Sequence, residues 1–221
     1  MEILLLVQTV LYFAIAILGF FITAPVAATV NNFKGKCVLY GTVQWYDDSK
    51  FHFKPGNLTL CEFNIYLHVG IAILYASSVG AIHVFLLFKE RKNEQLEIPK
   101  IVRLSLIIAN GICAFLTLVS AGTLSAGLSE WCSQLMEGKN YHFAIQSCSD
   151  GQNFQYSAGI DGSSFHTCFT LALVVAWLAF LMWCVQFTIG LLVFLEGLPT
   201  FPEKSREFRK RLSSIFHISK A

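Results

Sequence analysis

Four long apolar runs, nearly free of charge, decide what this chain can fold into. They cover about residues 3–28, 65–88, 101–128 and 165–195. A helix needs about 20 predominantly apolar residues to cross ~30 Å of hydrocarbon, and each run is long enough. In lipid, every backbone N–H and C=O must be satisfied within the segment, so runs of this length that do not alternate become helices. Charged residues are 14% of the chain, against roughly 25% in an average soluble domain. The sequence therefore predicts an all-α membrane architecture of four transmembrane helices. A net charge of +2 argues against a nucleic-acid partner.

Lys and Arg near the helix ends set the expected orientation. The loop 89–100 and its edge carry Lys89, Arg91, Lys92, Lys100 and Arg103, and the tail 196–221 carries Lys204, Arg206, Arg209, Lys210, Arg211 and Lys220. The segments 31–62 and 129–164 carry only Lys34, Lys36, Lys50, Lys54 and Lys139. This imbalance places the loop, the tail and the N-terminus in the cytosol, with the other two segments outside. The triplet Val26-Ala27-Ala28 resembles a signal-peptidase site, but the only early charge is Glu2 and the apolar run is too long for a signal peptide. The whole chain reads as one four-pass unit, in the plasma membrane or in secretory or endosomal membranes.

Cysteines and a sequon bear on topology through different chemistry. Cys37 and Cys61 fall in the first outer segment, and Cys132 and Cys148 in the second. Disulfides persist on the lumenal and extracellular side. The simplest pairing is one bridge within each segment, although four Cys allow three connectivities and Cys168 lies near enough to compete. Cys113 and Cys184 sit inside apolar runs and read as packed thiols. Asn57-Leu58-Thr59 is an N-glycosylation triplet within the first outer segment.

The first outer segment has a strand pattern. Val38 to Tyr46 is rich in β-branched and aromatic residues, Asp47-Asp48-Ser49 is a turn signal, and Phe51-His52-Phe53 alternates. A hairpin in a small antiparallel sheet follows, with a further short strand expected at Tyr141 to Gln146 in the second segment. The two segments are expected to pack as one disulfide-stapled cap.

Three local motifs resemble one family. Phe33-Lys34-Gly35-Lys36-Cys37-Val38-Leu39-Tyr40-Gly41 resembles the F-x-G-[RK]-C-x-L-[YF] segment of the transmembrane protein 179 family, members 179 and 179B. Trp131-Cys132, Ser147-Cys148 and the stretch Gly159 to Phe165 are similar to its second outer segment. The resemblance implies a claudin-like left-handed four-helix bundle beneath an outer β-sheet, and no known activity. The claudin signature itself departs: the Cys spacing here is wider and Trp45 follows Cys37 instead of preceding it. A tight-junction role does not carry over, and the Cys-Cys-Gly motif of tetraspanins is missing.

Candidate chemistry is sparse. The apolar runs hold no Asp, Glu, Lys or Arg apart from Arg103 at an end, which counts against a pump, transporter or voltage sensor. His68 and His83 lie at different depths and read as packed histidines. Asn110 and Gln186 read as interhelical hydrogen-bonders. Ser77 and Ser78 lack the strained Gly-x-Ser setting of a hydrolase nucleophile. His142, Cys148, His166 and Cys168 match no metal-ligand spacing. Ser77-x₃-Ala81 and Gly122-x₃-Ala126 allow close helix approach and read as packing faces inside the bundle, with a docking face for a partner protein as the alternative. In the tail, Phe208, Leu212, Ile215 and Phe216 share a helical face among basic residues, an interfacial amphipathic helix. Lys210-Arg211-Leu212-Ser213-Ser214 resembles a basophilic-kinase substrate, with Ser213 and Ser214 as acceptors.

The expectation is a non-enzymatic accessory, adaptor or trafficking protein without cofactor or metal. Its partners would be membrane lipids and other membrane proteins. The alternative is a lipid-binding or lipid-moving protein with an apolar interhelical cavity.

Overall fold

The structure, a computed structural model, describes residues 2–47, 50–92, 99–137, 147–154, 156 and 159–196. Helix α1 spans Glu2–Asn32 and is followed by strands β1 (Cys37–Asp47) and β2 (Lys50–Gly56). The second span runs from Leu58 to Arg91 in three parts: α2 (Leu58–His68), a π-helical stretch Val69–Tyr75, and α3 (Ala76–Arg91). Helix α4 covers Lys100–Met136, a 3₁₀ turn covers Cys148–Asn153, and α5 covers Phe165–Glu196. Four of these helical units are long and apolar enough to cross a membrane.

Three helical units outrun their apolar runs at the cap end. The second span begins at Leu58 rather than near 65, and α4 continues to Met136 rather than stopping near 128. Hydropathy marks the hydrocarbon slab, whereas helix ends are set by caps and packing. Asn57 caps α2, its side chain accepting from Thr59 N–H at 3.0 Å. The extension of α4 is held because Trp131 and Leu135 are fully buried under the cap. Helix α1 ends with Lys34 (φ 54°) and Gly35 (φ 76°) in left-handed geometry. The Gly35 N–H donates back to the Val30 carbonyl at 2.8 Å, satisfying a terminal carbonyl as a Schellman-type end does.

The bundle order follows from the contacts. Helix α1 lies between α5 and the second span, α5 lies against α4, and α4 meets the second span mainly through α2. The hairpin rests on α4. Its register pairs Thr42 with Lys54, Val43 with Phe53 and Gln44 with His52. Val43 and Phe53 are buried while Gln44, His52 and Lys54 are exposed, the period-2 alternation of a sheet with one wet face. The register shifts between Cys37 and Thr42, where Tyr40 takes φ 57°, a bulge that bends β1 over the bundle. The second-segment strand expected at Tyr141 to Gln146 lies outside the described residues, as does the tail with Ser213 and Ser214.

One apolar core joins the cap to the adjoining half of the bundle. It includes Ile22, Val26 and Phe33 from α1, Leu39, Val43 and Phe53 from the hairpin, Leu124 and Trp131 from α4, and Phe165 and Phe169 from α5. A second core, around Tyr12, Ile15, Ala76, Val79, Cys113 and Trp183, lies toward the other end.

Candidate functional site: a stapled cap above buried polar centres

The motif residues of the sequence are the joints of the cap. Phe33 is fully buried. Its ring meets Phe53 at 5.5 Å, Tyr156 at 5.4 Å and Phe165 at 6.3 Å between centroids. Trp131 closes the cluster, 5.2 Å from Phe53 and 6.1 Å from Phe165. All five contacts are edge-on, the arrangement that the ring quadrupole favours. This cluster links α1, β2, α4, α5 and the segment before α5, so both loop segments are parts of one packed cap.

Two disulfides staple the cap around that cluster. Cys37 is bonded to Cys61 and Cys132 to Cys148, with Cα separations of 5.8 and 5.1 Å. Cys37 and Cys61 are both 0% exposed, whereas Cys132 and Cys148 are half-buried. Cys168, Cys113 and Cys184 are free thiols. His166 brings a ring nitrogen within 4.8 Å of both Cys132 Sγ and Cys148 Sγ. Those two sulfurs are spent on each other in the bridge, so the trio is not a metal-ligand set in this state. Cys168 is outside it, and His142 lies outside the described residues.

The segment before α5 is tied down without covalent help. Asp161 N–H donates to the Asn32 carbonyl at 3.1 Å. The Asp161 carboxylate accepts from Ser163 N–H at 2.9 Å, and the Ser163 hydrogen bonds hold its pKa below the ordinary carboxylate value. Tyr156 O–H donates to the Gly151 carbonyl at 3.0 Å, and burial pushes the phenol pKa up. A Cβ on Gly162 would fall inside the Tyr156 ring, so the glycine of this motif is fixed by close approach. Gly127 plays the same part on α4, where a Cβ would sit 2.9 Å from Leu39 Cβ.

Beneath the cap lies a polar centre between α2 and α4. Asn64, His68 and Ser120 are all 0% exposed. Ser120 donates its single proton to Asn64 Oδ1 at 2.6 Å. Its oxygen therefore accepts from His68 Nε2–H at 2.8 Å, which fixes the imidazole tautomer. Asn64 Nδ2 donates to the Leu60 carbonyl at 2.7 Å and reaches Thr123 Oγ1 at 3.4 Å. Among the described residues, His68 Nδ1 has no hydrogen-bond partner.

A second polar centre crosses the bundle nearer the other end. Asn110 of α4 donates to Tyr12 Oη at 2.8 Å and accepts from Tyr75 O–H at 3.1 Å. Tyr75 closes the π-helical stretch and stacks on Trp183, centroids 5.9 Å apart and planes 27° apart. Tyr12 also packs edge-on against Trp183 and lies 5.1 Å from the His83 ring. Gln186 Nε2 donates to the Gln8 carbonyl at 2.9 Å. All four spans thus make interhelical polar contacts, although among the described residues Gln186 Oε1 and the Trp131 and Trp183 Nε1–H groups have no hydrogen-bond partner.

The remaining sequence candidates separate from these centres. His83 Nδ1 lies 2.9 Å from the Val79 carbonyl of its own helix. Ser78 is exposed and donates to the Leu74 carbonyl, so it is no activated nucleophile. Gly122 and Ala126 do not pack inside the bundle as expected. Among the described residues, a Cβ on Gly122 would meet nothing within 4 Å, and Ala126 is exposed. Ala81 is exposed as well. The buried side of α4 includes Thr117, Ser120, Ala121, Leu124, Gly127 and Leu128, so Gly122 and Ala126 fall off that face. Asn57 is exposed, with its carbonyl oxygen engaged as the α2 cap.

Sequence reading did not pick out Asn64, Ser120, Tyr12 or Tyr75. Asn64 and His68 stand four apart and so share a helical face, which is a legible signal. Ser120 and the two tyrosines carry none, because their partners come from other helices. One cavity deserves description: a groove of about 420 Å³ between α1 and α5, lined by Phe20, Phe21, Ala24, Pro25, Ala28, Thr167, Cys168 and Leu171.

Comparison with known proteins fits this geometry. The model of the transmembrane protein 179/179B claudin domain matches residues 4–197. Transmembrane protein 179B of Danio rerio is 27% identical over 182 residues, covering 82% of this chain and 80% of the relative. The Mus musculus protein of that name is 27% identical over 183 residues, covering 81% and 78%. The Homo sapiens one is 25% identical over 179 residues, again covering 81% and 78%. No solved structure matches. The matched stretch begins in α1 and runs through α5, taking in all four spans, the hairpin and both disulfides: the chain is a multi-pass membrane protein of the transmembrane protein 179/179B claudin-domain family.

Proposed function

We propose that this protein is a non-enzymatic accessory or adaptor subunit that works by lateral association with other membrane proteins. The observation that carries the reading is the outward turn of Gly122 and Ala126 on α4, which leaves a close-approach helix face unused by the chain's own bundle. The cap supports it: the aromatic cluster fixes the loops relative to the helices, so a partner would meet one rigid surface. The test is chemical cross-linking in intact membranes, followed by native mass spectrometry in mild detergent. A stoichiometric complex is expected, and it is expected to be lost in Gly122→Leu/Ala126→Leu with unchanged thermal unfolding. A lone monomer, or a complex indifferent to both substitutions, would overturn the reading.

A lipid-binding role is the second reading, favoured by the groove between α1 and α5. Gly122 and Ala126 do not line it, so Ala24→Phe and Ala28→Leu are the variants that fill it. Lipid retained at fixed stoichiometry by the parent protein and lost from these variants would favour this reading over the first.

The same proposal places both termini in the cytosol and the cap outside, on the Lys and Arg imbalance. It assigns N-glycosylation to exposed Asn57 and kinase control of a lipid-bound tail to Ser213 and Ser214. Antibody access to terminal tags in unpermeabilised cells would reverse the topology. Phosphate on the tail is expected to lower its affinity for anionic vesicles.

A further inference from the structure

The two disulfides of the cap stand in different chemical settings. Cys37–Cys61 is sealed, with both residues 0% exposed within the core that joins cap and bundle. Cys132–Cys148 is half-buried at the rim, and His166 puts a ring nitrogen within 4.8 Å of each sulfur. His166 itself is half-buried, in the first turn of α5. Thiol–disulfide exchange requires access to a sulfur and is faster where the leaving thiolate is stabilised, and partial exposure together with a nearby imidazole favours both.

The surroundings of this second bridge are also held by contacts other than the bond itself. On one side, Cys132 follows Trp131 and precedes Leu135, both fully buried. On the other, the 3₁₀ turn Cys148–Asn153 is clamped by its own hydrogen bonds. Tyr156 O–H donates to the Gly151 carbonyl. Thr167 N–H and O–H donate to Gln152 Oε1 at 3.1 and 3.2 Å. Gly151 lies so close to α4 that a Cβ there would stand 2.9 Å from Leu135 Cδ1. These contacts tether the 3₁₀ turn to α4 and α5 independently of the Cys132–Cys148 bond.

We infer that Cys132–Cys148 with His166 is a reversible thiol-exchange site for low-molecular-weight thiols, whereas Cys37–Cys61 is a fixed structural bridge. In the first step an external thiolate attacks one sulfur of the pair. A mixed disulfide forms, the Cys132–Cys148 bond breaks, and the other sulfur leaves with the electron pair as a thiolate. His166 hydrogen-bonds that thiolate, which takes up the proton released when the external thiol ionised. A second external thiolate attacks the mixed disulfide and releases the second cysteine, which takes up a proton. The external pair leaves as its own disulfide. Two electrons pass from two external thiols to the bridge, and the reverse sequence restores it.

The experiment uses the full-length protein in nanodiscs, exposed to graded mixtures of reduced and oxidised glutathione. Free thiols are trapped by alkylation at timed intervals and assigned by peptide mass spectrometry, while thermal unfolding is followed in parallel. Cys132 and Cys148 are expected to exchange at least about tenfold faster than Cys37 and Cys61 in folded protein. His166→Gln is expected to slow exchange at the rim bridge about tenfold, with no change at the sealed bridge. His166→Lys, which keeps a proton donor, is expected to recover part of the rate. Opening of both bridges together, opening only on unfolding, or a rate indifferent to His166→Gln would overturn the inference. If the His166 variants do not fold, the comparison of the two bridges in the parent protein still decides it.

Discussion

His68 Nε2 stands 2.8 Å from Ser120 Oγ, although 52 residues separate them in the chain. The contact joins α2 to α4 just below the cap. Ser120 donates its hydroxyl hydrogen bond to Asn64 Oδ1, so removing the hydroxyl strands a donor and an acceptor at once. Ser120→Ala is expected to destabilise the protein by about 1–2 kcal/mol, since buried polar groups left unpaired cost more than the net worth of one bond. Thermal unfolding in a fixed detergent measures this, and a loss below the error of the method would show that the centre is not fully desolvated.

Asn110 is the hub of the other polar centre, in contact with both Tyr12 and Tyr75. Asn110→Leu is expected to cost about 2 kcal/mol, and Tyr75→Phe about 1 kcal/mol, because only the former strands two hydroxyls in hydrocarbon. A double variant Asn110→Leu/Tyr75→Phe should lose less than the sum, as residues sharing a bond are not additive. Full additivity would mean that the two groups do not interact.

Tyr156 makes the cap sensitive to alkali. Burial raises the pKa of its phenol in the folded protein, above an unfolded value of about 10. Its contribution to stability is therefore complete below about pH 10 and is lost as the pH climbs further. Tyr156→Phe forfeits the bond to the Gly151 carbonyl, costing about 1 kcal/mol at neutral pH. It should also move the alkaline loss of cap structure to higher pH. Near-ultraviolet circular dichroism of the aromatic cluster across pH 8 to 12 would follow this; an unshifted midpoint would assign the alkaline transition elsewhere.

Gly127 sets the distance between the hairpin and α4. A side chain there drives into Leu39 and Tyr40, and neither a helix nor a disulfide-anchored strand can yield cheaply. Gly127→Val is expected to destabilise by about 2–3 kcal/mol through overpacking. It should leave the helix content intact while exposing Trp131 to aqueous quenchers. A shielded tryptophan in the variant would contradict the packing described.

Asn57 carries two roles that substitutions can separate. Asn57→Gln removes the helix cap, for about 1 kcal/mol, together with the glycosylation triplet. Thr59→Val removes the triplet but keeps the Asn57 side chain, which accepts from the backbone N–H of residue 59. A glycan on Asn57 would make both variants run as smaller species after expression in a glycosylating host, while only Asn57→Gln would lower the unfolding temperature.

What the sequence alone determined was whatever hydrocarbon demands locally. Four stretches too apolar for water must be helices, and each had enough length to show it. The hairpin was legible because Val43 and Phe53 alternate with Gln44 and His52, and its partner segment lay only a turn away. Only the tertiary structure decided which faces of the helices meet. Hydropathy is nearly uniform around a membrane helix, so it cannot distinguish Ser120, buried against His68, from Gly122, turned to the outside. The different exposure of the two disulfides has the same origin. Both bridges join cysteines close in sequence, but one falls within the core where cap meets bundle and the other at its rim beside His166. That difference arises from helices far apart in the chain, whose packing energy no local pattern records.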